Sequence, residues 1–191
     1  MPDGINPALT KTLVEAEGDV ARHGVVIIRT IETELVPSIM AAARDSIESS
    51  PRKLSKLSEE DLDDLVESLR KSATKEAKNL RKLYTRILAK LGNEDIVELE
   101  QDLEGIGQLF KWSRISEVTR PVNDILEGQG FPPIELAGPA DVADNLAVEL
   151  DEKWQAAFSR FSDAVSKLAQ ETKEEESPEP VQVKKRREKR K

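Results

Sequence analysis

The spacing of leucines between residues 62 and 91 leaves this chain little choice of fold. Leu62, Leu65, Leu69, Ala73, Ala77, Leu80, Tyr84, Ile87 and Leu91 recur every three or four residues without a miss. That period keeps one face of an α-helix apolar. Ser58 stands ahead of Glu59, Glu60 and Asp61 as an N-cap followed by acids, where the helix dipole favours them. Gly92 falls where a left-handed C-terminal cap belongs. A helix of some 30 residues is a rod of about 45 Å, and its apolar face has to be covered by another long element.

A second stripe meets that requirement. Ala143, Leu146, Leu150, Trp154, Ala157, Phe161, Val165 and Leu168 follow an eleven-residue repeat, which holds a stripe almost straight along its helix. The two rods are predicted to pack on each other, within one chain or between copies, in the manner of a coiled coil. Leu69, Leu80, Ile87, Leu150, Trp154, Phe161 and Leu168 are the candidate packing or oligomerisation residues. Between and before the rods the signals are weaker but still helical. Ile28, Ile31, Leu35, Ile39 and Ala42 form a stripe that Pro37 is expected to kink or break. Ile96, Leu99, Leu103, Ile106 and Phe110 form a third, irregular after Trp112. Pro121 is expected to start a short helix ending at Gly128, and residues 129–138 to form the main loop.

The expected fold is therefore all-α: an elongated helical bundle or hairpin spanning residues 8–170. Residues 1–7 are expected to be flexible and 171–191 disordered, acidic and then basic, because the apolar pattern stops and Glu174, Glu175, Glu176, Pro178 and Pro180 follow. Only seven of the 191 residues are aromatic, so Leu, Ile, Val and Ala must supply most of the core.

Several chemistries are excluded by count. The chain has no cysteine and one histidine, His23. It can build no disulfide, no thiolate metal site and no bundle di-iron centre with two Glu-x-x-His pairs. The close glycine pairs Gly105/Gly107 and Gly128/Gly130 do not extend to a dinucleotide or phosphate-loop fingerprint. Glu94, Asp95, Glu98, Glu100, Asp102 and Glu104 fall between apolar positions and read as a solvated face. Neither a cofactor, a metal nor a catalytic residue is indicated, and the expectation is a non-enzymatic protein. The opening residues lack the pattern of a secretory signal. The longest apolar run, Val25 to Ile28, is far short of the roughly 20 residues of a membrane span. The expected setting is soluble and intracellular: cytoplasmic, or nuclear in a cell that has a nucleus.

Charge supplies the functional expectation. Lys184, Lys185, Arg186, Arg187, Lys189, Arg190 and Lys191 lie within eight residues, against one acid, while the preceding 183 carry a formal net charge of −14. Arg70, Lys71, Lys75, Lys78, Arg81, Lys82, Arg86 and Lys90 add a basic face to the helix of residues 59–91, by default one that meets the acidic helix after it. The leading expectation is an assembly factor, scaffold or adaptor whose basic tail engages an acidic protein partner, with self-association left open. The alternative is a nucleic-acid-associated protein that binds phosphates through the tail and that basic face.

Overall fold

A computed structural model describes residues 6–92, 95–111, 114–136, 138–142 and 144–176. The segment Lys184–Lys191 lies outside the described residues. Among those described there are helices and no strand. Their order is α1 (Pro7–Thr30), a π-helical segment (Ile31–Leu35), α2 (Val36–Glu48), α3 (Pro51–Leu54), α4 (Glu59–Leu91), α5 (Ile96–Leu109), α6 (Ile115–Gly128), a 3₁₀ turn (Pro139–Asp141) and α7 (Asp144–Glu176).

Local chemistry sets the ends of these elements. Asn6 accepts from the backbone N–H of Ala8 at 3.0 Å, with Pro7 in the first turn of α1. Ser58 and Asp61 form a reciprocal capping box at α4, satisfying two of the orphan donors that a helix start leaves. Asp95 accepts from the N–H groups of Val97 and Glu98 at the start of α5. Gly92 ends α4 at φ −85°, so it is not the left-handed cap that its position promised. That conformation occurs instead at Gly130 (φ 77°). There the N–H of Phe131 reaches Leu126 O and that of Gly130 reaches Glu127 O, the double bond pattern that closes a helix on glycine.

At Pro37 the helical run is not ended but is irregular: the π segment Ile31–Leu35 lies just ahead of it and the chain continues as α2, a form of local distortion that accommodates a missing N–H and the bulk of a ring. The buried residues Ile27, Ile31, Leu35, Ile39, Ala43 and Ile47 then step by four throughout. Such a stripe gains about 40° per step on an ideal helix, and the extra residue in the π turn takes up part of that drift. Ile28 and Ala42, expected on this stripe, sit half-buried on its flank. Pro121 lies inside α6, which begins six residues earlier, at Ile115. Helix α7 continues to Glu176, beyond the boundary expected at residue 170.

Side-chain pairs fix how the helices run. Arg81 bridges to Glu32, Gly24 abuts Leu88 and Gly92 lies near Glu17, so α1 and α4 are antiparallel. Ser38 Oγ donates to Val142 O at 2.8 Å, Trp154 lies beside Gly24, and Arg160 bridges to Asp19, so α1 and α7 are antiparallel too. It follows that α4 and α7 run in the same direction. The long partner of α7 is α1, not α4 as the two stripes alone implied. α5 and α6 return along α4, through Lys90–Asp102 and the Tyr84 hydroxyl donating to Lys111 O at 2.6 Å. The extended segment after α6 lies along α2. It is held by Ser46 donating to Pro132 O and by Asn123 exchanging two hydrogen bonds with Ile134, and it buries Phe131, Ile134, Leu136 and Val142.

Candidate interaction surface

The helical core accounts for the apolar candidates first. Leu69, Leu80, Ile87, Leu150, Trp154, Phe161 and Leu168 are all buried within this one chain. At their centre Tyr84, Phe110 and Trp154 stack with ring centroids 4.1 Å apart at each step, and Phe158 follows at 5.0 Å. α4, α7 and the residue that caps α5 thus contribute to one aromatic pile, which the three- and four-residue spacings could not reveal because each spacing describes a single helix. Gly24 and Gly107 let backbones approach it. A Cβ at Gly24 would lie 2.7 Å from Leu88 Cδ2 and 3.2 Å from Trp154 Nε1, and one at Gly107 2.8 Å from Phe158 Cε1.

Polar groups inside this packing are few. Burial pushes the Tyr84 hydroxyl well above the ordinary tyrosine range, since the phenolate would lose its water. Asp151 is raised by burial, partly offset by a hydrogen bond from Gln155. Among the described residues no three of His, Asp and Glu gather as a metal would require. No helix there is long and apolar enough to cross a membrane.

Helix α4 carries one continuous charged side. Its buried residues define one side of the helix, and Lys71, Lys75, Lys78, Lys82 and Arg86, all exposed, step along the opposite side. Over fifteen residues they span about 22 Å. Arg70, Thr74, Asn79 and Glu67 lie among these lysines on the same side of the helix. The default pairing with the next helix is not what the structure shows. Lys90 reaches α5, at 3.4 Å from Asp102, whereas Lys71, Lys75, Lys78 and Lys82 lie on the side opposite the buried face. Lys71 is bridged to Glu67 at 3.5 Å and Arg81 to Glu32 at 2.6 Å. Among the described residues Lys75, Lys78, Lys82 and Arg86 have no ion-pair partner within 4 Å.

This arrangement can hold anions by charge. Lysines on one convex ridge converge on no common point, and among the described residues Tyr84, Phe110, Phe131, Trp154 and Phe161 are buried in the core rather than offered to stack bases. No protein family, curated protein or solved structure matches the chain.

Proposed function

We propose that this chain is a non-enzymatic interaction protein: an elongated bundle of antiparallel helices that serves as a scaffold or adaptor and engages an acidic protein partner. Residues 184–191 provide one cationic element and the outer ridge of α4 another. The observation that carries this reading is the row of unpaired cations Lys75, Lys78, Lys82 and Arg86 on the side of α4 opposite its buried face. Cations that no described acid neutralises are available to an acid from elsewhere. Individually such pairs contribute little, so a partner has to present several carboxylates in register.

The same row favours a second reading, nucleic-acid association through backbone phosphates. The strongly acidic remainder of the chain opposes it by repelling a polyanion as long as a duplex. One titration separates the two. The full chain and a chain lacking residues 184–191 are titrated with a polyglutamate peptide and with a duplex DNA at several salt concentrations. The first reading expects tighter capture of the peptide, weakened by the deletion and abolished when Lys75→Glu, Lys78→Glu and Lys82→Glu are added to it. Duplex binding that outcompetes the peptide, with a steep salt slope, would reject it in favour of the second.

A further inference from the structure

The outer ridge of α4 begins before its lysines. Glu60, Asp64, Glu67, Lys71, Lys75, Lys78 and Lys82 step by four, three, four, four, three and four residues. All seven are exposed and lie within about 40° of the line opposite the buried stripe. Glu67 and Lys71 pair with each other. Among the described residues none of the other five has an ion-pair partner. Read outward from Lys71, the spacings on the two sides mirror each other and the charges are opposite: three acids toward the start of the helix, three lysines toward its end.

We propose that this ridge is a self-association surface whose partner is a second copy of the chain, laid antiparallel across a two-fold axis beside Lys71. In that register Glu67 faces Lys75 of the other copy, Asp64 faces Lys78 and Glu60 faces Lys82. Symmetry repeats each pair, which gives six opposite-charge pairs, with Lys71 facing its own copy at the axis. A parallel alignment sets acids on acids and lysines on lysines, so the sign pattern itself fixes the orientation. The helix dipole explains acids early and cations late in α4, but it does not require spacings mirrored about one residue. The apolar residues first considered for oligomerisation are buried in the chain's own core, so this ridge is a surface on which two folded copies can meet without opening. The contact is wholly charged and exposed, and the association is therefore weak, reversible and sensitive to salt.

Sedimentation equilibrium of the full chain tests the proposal at about 10 mM and about 500 mM salt, where screening differs severalfold. A dimer is expected at low salt, its affinity falling at least tenfold, as an order of magnitude, at high salt. The triple reversals Lys75→Glu/Lys78→Glu/Lys82→Glu and Glu60→Lys/Asp64→Lys/Glu67→Lys should each abolish self-association, and mixing the two variants should restore a dimer. Deleting residues 184–191 should leave the wild-type dimer in place. A monomer at low salt, a dimer unmoved by the reversals, or one lost with residues 184–191 overturns the proposal. Because the chain has no cysteine, orientation can be read by oxidation. Lys71→Cys should cross-link to itself, and Glu60→Cys only when mixed with Lys82→Cys. Self-linkage of Glu60→Cys as fast as that of Lys71→Cys would refute the antiparallel register.

Discussion

Two glycines on α1 provide the sharpest test of how the helices pack. Gly18 is exposed and a Cβ there meets nothing within 4 Å. Gly18→Ala should therefore collect the ordinary helix gain, about 0.5–1 kcal/mol. Gly24→Ala collects the same gain but places its Cβ 2.7 and 2.9 Å from the two Leu88 methyls and 3.2 Å from Trp154 Nε1. Overpacking of this kind costs about 1–3 kcal/mol. Leu88 is half-buried and can yield in part, whereas Trp154 is fully buried and stacked between Phe110 and Phe158. The net result for Gly24→Ala is a loss of up to about 2 kcal/mol, so the two variants should differ by about 1–3 kcal/mol. For a chain of this size that is roughly 3–10 °C in Tm. Urea unfolding followed by circular dichroism measures it. In a Leu88→Ala background Gly24→Ala should recover much of its cost, giving a coupling energy between the two sites. If Gly24→Ala stabilises as much as Gly18→Ala, and Leu88→Ala does not alter its effect, then α1 is not seated against Leu88 and Trp154 and the packing argued above is wrong.

Trp154→Ala should cost about 3–5 kcal/mol in urea unfolding, since it empties the middle of the aromatic pile; a loss under about 1 kcal/mol would show the pile to be incidental. Tyr84→Phe removes the hydrogen bond to Lys111 O and should cost about 0.5–1.5 kcal/mol. The Tyr84 hydroxyl has its folded pKa raised above 10.0, so its contribution is complete below pH 10 and is lost as pH rises beyond it. The wild type should accordingly lose stability faster than Tyr84→Phe in alkaline titration. Ser58→Ala deletes half of the α4 capping box and should cost about 1 kcal/mol by the same unfolding assay, with no change if α4 starts elsewhere. Burial raises the Asp151 carboxyl in the folded state, so its ionised form opposes folding as pH climbs above the ordinary aspartate value of 3.8. Asp151→Asn should raise Tm near neutral pH, and the difference should vanish at pH 3; a Tm gain that persists there would refute burial as the cause.

Helix identity was legible wherever the period was, and for a local reason. The residues from Leu65 to Leu91 expected on the inner face of α4 are those that are buried, because spacing within one helix needs no information from elsewhere. The π turn was legible in principle. Steps of four from Ile27 to Ile47 cannot follow an ideal helix, and choosing Ile28 and Ala42 instead restored a regular α period at the cost of missing it. Pro121 was misplaced because a proline signal reports one lost hydrogen bond, whereas Ile115, Val118, Val122 and Leu126 bury a whole face of α6 and outweigh it. The basic face of α4 was legible as residues but not as a direction. Only the buried side, once fixed, shows that Lys75, Lys78 and Lys82 point away from α5.

The pairing of the long helices lay beyond the sequence for a different reason. Two apolar stripes of matching length state that each needs a cover and not which cover each receives. Direction decides it. With α1 antiparallel to α4, and α5 and α6 returning along α4, the chain reaches residue 144 heading as α4 does. α7 then completes an antiparallel contact with α1, through Asp19–Arg160 and Gly24–Trp154. α1 is consequently covered by both α4 and α7, and its central turn must be narrow where they converge. That is the position of Gly24. A glycine in mid-helix lowers helix propensity, and here the close approach of Leu88 and Trp154 supplies the compensating packing. The same geometry turns the other side of α4 outward along its whole length. The helix that organises the interior therefore also carries a long charge pattern on the surface, and both follow from one three-and-four spacing read on opposite faces.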